Sequence, residues 1–290
     1  MLIVLFGGSN PLLEPHPLVV EPILRRALLE DIGNGNDLTT DAILSPTLQT
    51  QARIVAREAG IAAGIKLACG AFALLGDDID LDVHFLDGQH FEQGATLATI
   101  RGDARAILTG ERTVLNILSR LCGIATQTRS LVDAIATTNS HVVCTRKTTP
   151  GLRVLEKYAV RCGGGSNHRF GLDDAVLIKD NHIALAGSIH EAISRVRMNV
   201  GHMVKIEVEV DSLTQLQELL KEHVDAVLLD NMDEPSLREA VRAVNGHMLT
   251  EASGGITATR ILAVAQTGVN LISVGRLTQG CAIIDIGLDI

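Results

Sequence analysis

The chain has 290 residues, 46% of them hydrophobic and 20% charged, which suits one large domain or one large and one small domain. Aromatic residues make up only 2% and the net charge is -9, which argues against a nucleic-acid binder that stacks bases or neutralises phosphates. The apolar run at residues 2–6 is too short for a membrane span and lacks the basic flank of a secretory signal. Five widely spaced cysteines are typical of reduced thiols and favour a cytoplasmic protein.

The amino-terminal part is predicted to mix helix and strand. Residues 20–29 favour a helix, and strand-like runs follow at 52–58, 81–85 and 96–102. Apolar residues then recur at helical spacing and predict a long helix over 111–135, which could break near Gly123.

The remainder of the chain alternates strands with helices. Such alternation indicates parallel βα units. We predict an α/β barrel, with an open doubly wound sheet as the alternative that periodicity alone does not exclude. The predicted strands lie at 142–145, 175–178, 204–210, 226–229, 248–250 and 270–274, and the helices at 189–196, 213–220, 236–244 and 259–265.

The position of the polar residues favours the barrel. In βα barrels the chemistry is carried by the carboxyl ends of the strands and by the loops that follow them. Here polar groups or glycines lie within or after nearly every predicted strand, which indicates a site at one end of a barrel. They are Arg146–Lys147, Lys179–His182, Glu207 with Glu209, Asp230–Asn231, 251–255 and Gly275.

Residues 146–179 reverse the charge of the chain. They contain seven Lys or Arg against three acids, a local charge of +4, which predicts an anion site. Charge-assisted hydrogen bonds of about 1.5–3 kcal/mol each could hold a small dicarboxylate. The four candidates at strand ends or beside the glycine run are Arg146, Lys147, Arg169 and Lys179. A solvated helix face is the equally good interpretation for Arg153, Lys157 and Arg161.

Two histidines accompany this cluster. His168 follows three glycines and precedes an arginine, so it could contact the ligand or serve the structure. His182 could equally brace its loop.

The run at 204–210 places Lys205, Glu207 and Glu209 on one face of a strand. Charges on a buried face are costly unless they are paired or bind an ion. With Asp230 at the end of the next strand, Glu209 forms a predicted Mg²⁺ site. The alternative is a Lys–Glu pair, which we favour for Glu207.

Glycine turns follow the last two predicted strands, at Ser253–Gly255 and Val274–Gly275. Backbone N–H groups in such loops commonly bind phosphate in barrel enzymes. Composition and spacing therefore predict an enzyme that binds a phosphorylated substrate with Mg²⁺ and a second, carboxylated substrate.

Several stretches resemble the quinolinate phosphoribosyltransferases, the decarboxylating nicotinate-nucleotide pyrophosphorylases. The most specific are 145–153, 163–169 and 177–182. Further stretches follow in the family's order, and the resemblance spans residues 20 to 280. They are 31–33, 37–40, 111–112, 115–116, 207–209, 229–231, 251–255 and 273–275.

This resemblance implies a two-domain α/β chain. An N-terminal α/β sandwich would occupy residues 12–113 and be rejoined by 277–290, and a C-terminal seven-stranded α/β barrel would occupy 114–276. The family forms homodimers, and further assembly into hexamers is left open. In these dimers Arg112 would reach into the partner's site.

The resemblance also implies roles for the site residues. Lys147, Glu209 and Asp230 would be catalytic, and Glu209 and Asp230 would hold Mg²⁺ and the ribose hydroxyls. Lys147 would lie between quinolinate and phosphoribosyl pyrophosphate. The quinolinate carboxylates would contact Arg146, His168, Arg169 and Lys179, and Thr145 would be a further substrate-binding residue. The 5′-phosphate would contact Ser253, Gly254, Gly255, Val274, Gly275 and Arg276.

The implied reaction transfers phosphoribosyl from phosphoribosyl pyrophosphate to quinolinate, with loss of CO₂ and pyrophosphate, in NAD biosynthesis. The alternatives are a paralogous transferase for another carboxylated ring, as in the molybdenum-operon relatives, and a non-catalytic ligand sensor. Two positions depart from the family pattern. Cys144 stands where the family has an Asp, and Gln279 stands where the family has a His that faces the phosphate. Arg276 could supply the hydrogen-bond donor that this His would provide.

Overall fold

The computed structural model describes residues 12–290, so the order and origin of residues 1–10 lie outside the described part. The described chain forms two compact units. The first, the sandwich unit, contains the residues up to Arg129, Lys147–Gly164 and Arg276–Ile290, and the second, the barrel unit, contains Ser130–Arg146 and Gly165–Gly275. The domain boundary predicted between residues 113 and 114 stays a prediction. Within residues 12–290, no helix is long and apolar enough to cross a membrane.

The sandwich unit is built on an antiparallel sheet with the strand order β12-β1-β5-β3. Its strands confirm the predicted runs near residues 52, 81 and 96. The last strand of the chain pairs with β1, Arg53 lying opposite Asp289. The strands of this unit are β1 Gln49–Ala56, β2 Gly60–Ile61, β3 Ile79–Val83, β4 His90–Phe91, β5 Thr96–Asp103 and β12 Ile286–Asp289.

Helices complete the sandwich unit. The predicted amino-terminal helix is confirmed, and it begins with the side chain of His16 accepting a hydrogen bond from Leu18 N–H. The helices of this unit are α1 Pro17–Ile32, α2 Leu38–Ile43, α3 Ile65–Cys69, α5 Arg153–Cys162 and α11 Arg276–Gln279; α4, Ala104–Ala134, begins in this unit and ends beyond Arg129.

The long helix α4 is continuous through Gly123, so the break considered there does not occur. Glycine is required at this position for a different reason. A Cβ atom on Gly123 would lie 2.1 Å from the carbonyl oxygen of Ala282, which is less than any real contact distance. The glycine therefore permits close packing of a backbone segment rather than a bend.

The barrel unit contains a six-stranded parallel sheet with the order β6-β11-β10-β9-β8-β7. Neighbours follow chain order, and the first strand lies beside the last, which is the closure expected of a barrel and not of a doubly wound sheet. The strands are β6 His141–Val143, β7 Val176–Ile178, β8 Ile206–Val210, β9 Ala226–Asp230, β10 Leu249–Ser253 and β11 Leu271–Ser273. The helices are α6 Asp180–Ala186, α7 Ile189–Asn199, α8 Leu213–Leu219, α9 Glu234–Val244 and α10 Ile261–Ala265.

The seventh strand position of the predicted barrel is reduced to one parallel bridge between Val143 and Ser166. The surrounding sequence, three glycines followed by Ser-Asn-His, contains none of the β-branched residues that favour a strand. The fold is thus the predicted α/β barrel with a minimal seventh strand.

Side-chain caps fix where the barrel helices begin. Ser188, Ser212 and Asp233 accept hydrogen bonds from backbone N–H groups in the first turns of α7, α8 and α9. Each such cap contributes about 1 kcal/mol. The caps help to define where the loops that join strands to helices end.

Candidate active site

Parallel pairing places the carboxyl ends of the barrel strands at one edge of the sheet. The structure therefore brings together the predicted site residues that end or follow these strands, whereas His168 and Arg169 follow the single bridge at Ser166. Its register sets Ser253 beside Asp230 on the neighbouring strand. The residues that end or directly follow these strands are Thr145, Arg146, Lys179, Glu209, Asp230, Ser253, Gly254, Gly255, Val274 and Gly275.

Glu209 and Asp230 form an acidic pair at this edge. The Nζ atom of Lys179 lies 3.8 Å from Oε2 of Glu209. Burial raises the pKa of the Glu209 carboxyl; Lys179 opposes this shift and the nearby Asp230 carboxylate adds to it. Asn231, in the left-handed region with φ of 54°, donates its amide to Asp230 Oδ2 at 2.6 Å. The pair is thus held within a mixed-charge environment.

This acidic pair suits Mg²⁺. Carboxylate oxygens are the ligands that Mg²⁺ prefers, and it usually keeps several waters and substrate phosphates as further ligands. Glu209 and Asp230 are both half-buried, which leaves room for such ligands. A nearby divalent cation would also relieve the repulsion that raises the pKa of Glu209.

Two arginines of the predicted anion site, Arg146 and Arg169, lie close together in the barrel unit. Burial lowers the pKa of the Arg169 guanidinium, and the neighbouring Arg146 lowers it further. Two guanidinium groups close enough to repel each other are stabilised by an anion, as a dicarboxylate site requires. Arg169 is anchored by a 2.8 Å hydrogen bond from Nη1 to the carbonyl oxygen of Ala175.

His168 is braced on both sides of its ring. Nδ1 accepts a hydrogen bond from the backbone N–H of Arg169 at 2.8 Å, so Nε2 carries the proton. Nε2 lies 2.8 Å from Oε2 of Glu207. Pairing was predicted for Glu207, but with the wrong partner: it pairs with His168, and Lys205 pairs with Asp225 instead.

Glu251 lies next to this pair and was given no role by the sequence. Its Oε1 is 3.9 Å from His168 Nε2 and has no hydrogen-bond partner among the described residues. Burial, together with the Glu207 carboxylate, raises the pKa of Glu251 to about 8. The surroundings of Glu251 therefore favour its protonated form.

His168, Glu207 and Glu251 also form a group whose ligand atoms lie within 4.8 Å of one another. The charge of nearby Arg169 and the hydrogen bond from His168 to Glu207 oppose a metal ion at this position. We therefore interpret the group as a brace for the imidazole.

The loop after β10 has a backbone that only glycine adopts readily. Gly254 and Gly255 have φ values of 93° and 59°. A Cβ atom on Gly254 would lie 2.1 Å from Asn231 Oδ1. Asn231 N–H donates to the Ser253 carbonyl and Arg260 donates to the Gly254 carbonyl, so the loop is held from both sides.

The departure at Cys144 has a structural consequence. Cys144 is buried at the end of β6, and its thiol donates to Oδ1 of Asn167 at 3.2 Å. The thiol thus links this strand end to the segment that carries His168 and Arg169.

The predicted site residues Arg112, Lys147 and Arg276 belong to the sandwich unit, and all three are exposed. For Lys157, the structure excludes the solvated helix face, one of the two interpretations left open, because Lys157 is fully buried. In the barrel unit His182 is a brace, since its Nδ1 accepts from Lys179 N–H at 2.9 Å.

A cavity of about 560 Å³ opens at the opposite end of the barrel unit, beside the amino ends of β8 to β11. Residues that precede these strands, including Val224, Gly246 and Asn270, line its mouth. His168, Glu207 and Glu251 also belong to the lining of this cavity. Its lining also includes Arg169, but neither Glu209 nor Asp230.

Comparisons with known proteins match most of the chain to one family. Models of the N-terminal and C-terminal domains of quinolinate phosphoribosyl transferase match residues 37–122 and 124–289. A probable nicotinate-nucleotide pyrophosphorylase (carboxylating) of Bacillus subtilis is 45% identical over 273 residues, 94% of each chain. The Mycobacterium leprae protein named nicotinate-nucleotide pyrophosphorylase (carboxylating) is 42% identical over 275 residues, 92% of this chain and 95% of that one.

Solved structures give the same result. NadC from Streptococcus pyogenes is 36% identical, superposes with a TM-score of 0.92 and covers 96% of this chain and 98% of its own. The nicotinate-nucleotide pyrophosphorylase from Francisella tularensis is 37% identical, with a TM-score of 0.90 and coverage of 97% and 99%. The chain belongs to the quinolinate phosphoribosyltransferase family.

Proposed function

We propose that this chain transfers a phosphoribosyl group from phosphoribosyl pyrophosphate to quinolinate, forming nicotinate mononucleotide, pyrophosphate and CO₂ for NAD biosynthesis. The observation that carries the proposal is the shared edge of the barrel unit. Arg146 follows the carboxyl end of β6, and a pair of carboxylates and a glycine loop lie at the carboxyl ends of β8, β9 and β10. The second arginine, Arg169, lies in the segment before β7, close enough to Arg146 for their charges to interact. A dicarboxylate, a metal-bound pyrophosphate and a 5′-phosphate require these three kinds of group.

The arginines would orient quinolinate. Arg146 and Arg169 would contact its carboxylates, with Thr145 and Lys179 as further donors, because charge-assisted hydrogen bonds fix a planar acid well. In the described geometry both ring nitrogens of His168 are engaged within the protein. We therefore assign His168 to shaping the pocket, or to binding quinolinate after Glu207 releases Nε2.

The acidic pair would bind the donor, phosphoribosyl pyrophosphate. Glu209 and Asp230 would hold Mg²⁺ and the ribose hydroxyls, and the metal would neutralise the charge of the departing pyrophosphate. Their negative charge also stabilises the positive ribose that develops as the C1′–O bond breaks. Ser253, Gly254 and Gly255, with Val274, Gly275 and Arg276, would bind the 5′-phosphate.

The bond changes need no protein nucleophile. The lone pair of the pyridine nitrogen forms the new bond to C1′ while pyrophosphate leaves with the electrons of the C1′–O bond. The carboxylate beside the new bond then leaves as CO₂, and the ring carbon that keeps the electron pair takes a proton from water. Lys147 would stabilise charge between the two substrates, so catalysis is mainly positioning and electrostatics.

We also propose that the protein acts in the cytoplasm as a homodimer, with Arg112 reaching the partner's site. Its exposure on α4 leaves that side chain available to a second subunit. All five cysteines are free thiols, as expected in a reducing compartment.

A substrate panel tests the proposal. Pyrophosphate release should be followed with phosphoribosyl pyrophosphate and Mg²⁺, supplied in turn with quinolinate, nicotinate and other carboxylated rings. We expect release at least about 100-fold faster with quinolinate, because a ring that lacks one carboxylate leaves charged groups unpaired. Faster release with another acid would favour the paralogous transferase, and binding without release would favour a sensor.

A further inference from the structure

The loop that carries Lys147 is fixed by a buried ion pair in the sandwich unit. Arg120, on α4, lies against Glu156, on α5, with Nε and Nη2 at 2.7 and 2.6 Å from the same carboxylate oxygen. Glu156 is fully buried, whereas the Arg120 side chain is 26% exposed. A buried carboxylate is costly unless its charge and its lone pairs are satisfied.

The remaining hydrogen bonds of this pair are directed at the Lys147 loop. The second carboxylate oxygen of Glu156 accepts from the backbone N–H of Thr149 at 3.1 Å. Nη2 of Arg120 donates to the Thr149 hydroxyl at 2.7 Å and to the carbonyl oxygen of Thr278 at 2.9 Å. Both ions therefore hold Thr149, once by its backbone and once by its side chain.

Thr278 closes the network at the other end of the loop. This residue lies on α11 and is fully buried. Its hydroxyl donates to the carbonyl oxygen of Lys147 at 2.7 Å. The backbone is thus fixed at Lys147 and again at Thr149, while the Lys147 side chain is left exposed.

We propose that Arg120, Glu156 and Thr278 are positioning residues that set the location of Lys147 for the phosphoribosyl donor. This inference rests on the proposed function, in which Lys147 lies between the two substrates. A long, flexible lysine can place its charge accurately only if its backbone is fixed. Three groups from three helices supply that constraint, and none of them needs to touch a substrate.

Two substitutions remove the constraint at opposite ends. Arg120→Met deletes the ion pair with Glu156 and the contacts to Thr149 and to Thr278. Thr278→Val, at nearly constant volume, deletes only the hydroxyl that holds Lys147 and leaves the buried ion pair intact. Thr278→Ser keeps that hydroxyl and should restore wild-type behaviour. Arg105→Met is the matched control, because Arg105 also lies in the sandwich unit, pairs with Asp41 and has the same 26% side-chain exposure.

Three readouts are needed: hydrogen exchange of the 147–151 backbone, calorimetric affinity for phosphoribosyl pyrophosphate with Mg²⁺, and calorimetric affinity for quinolinate. For Arg120→Met we expect faster exchange, about tenfold weaker donor binding and quinolinate affinity within about twofold of wild type. Thr278→Val should weaken donor binding by about threefold, and the serine variant and the Arg105 control should not.

The outcomes separate this inference from the proposed function. If donor affinity is unchanged in Arg120→Met and Thr278→Val, or falls equally in the Arg105 control, the inference is wrong even where wild type turns over quinolinate. An equal loss of quinolinate affinity would also overturn it, because general unfolding would then explain the data. If wild type makes no product but donor affinity and exchange change as expected, the inference stands and the proposed reaction fails.

Discussion

Replacement of Gly254 by alanine is expected to abolish most of the transferase activity. The new Cβ atom would meet Asn231 Oδ1 at 2.1 Å and the Asn231 backbone nitrogen at 3.0 Å. The backbone there has φ of 93°, where an L side chain costs about 1–3 kcal/mol. Both contacting atoms belong to Asn231, which directly follows the neighbouring strand β9, so the loop after β10 must move to admit the new side chain. We expect kcat/KM for phosphoribosyl pyrophosphate to fall by about 100-fold or more.

A matched glycine separates the clash from the backbone strain. Gly187 has φ of 101°, but a Cβ atom there would meet nothing within 4 Å. Gly187→Ala should therefore lower the free energy of unfolding by about 1–3 kcal/mol and leave the KM for the donor unchanged. Steady-state kinetics and urea unfolding on both variants check this prediction. Equal donor KM values in the two variants would show that the Gly254 loop does not bind the phosphate.

Replacement of Glu251 by glutamine is expected to flatten the pH dependence of stability. Burial, and after it the Glu207 carboxylate, raises the pKa of Glu251 from 4.5, the value of an exposed glutamate, to about 8 in the folded protein. Between these values the folded state keeps a proton that the unfolded state has lost. The stabilisation is therefore complete below about pH 4.5 and is lost as pH rises toward 8, by at most about 1.4 kcal/mol per pH unit.

Glutamine cannot ionise, so Glu251→Gln removes this slope while it keeps the shape of the side chain. The groups that face it, Glu207, His168 and Ser273, remain. Urea unfolding from about pH 5 to about pH 8 measures the difference between variant and wild type. Glu218→Gln, on the exposed side of α8, is the control and should run parallel to wild type. Parallel profiles for wild type and Glu251→Gln would show that Glu251 is already ionised at neutral pH.

The barrel and the edge that carries its site could be predicted because each depends on local sequence. β-Branched runs mark the strands, and the polar residues that end them mark the carboxyl edge. The seventh strand could not be located, because the segment around Ser166 pairs through one bridge and lacks strand-forming residues.

Contacts between distant elements could not be predicted. Glu207 was correctly placed on a charged face, but its partner His168 lies 39 residues earlier in sequence. This pairing depends on how the segment around Ser166 packs. Lys157 resembles part of a solvated helix surface, whereas it and its neighbour Glu156 are fully buried. Only the fold brings Arg120 to Glu156, so the network around Lys147 has no local sequence signal.

The measurement that tests the proposed reaction most directly follows CO₂ and pyrophosphate together. Quinolinate, phosphoribosyl pyrophosphate and Mg²⁺ should be supplied to wild type and to Lys147→Ala. We predict equal amounts of CO₂ and pyrophosphate from wild type, and a rate that falls by about 100-fold or more in the variant. Pyrophosphate without CO₂, or no release although quinolinate binds, would contradict the assignment of this chain as a decarboxylating quinolinate phosphoribosyltransferase.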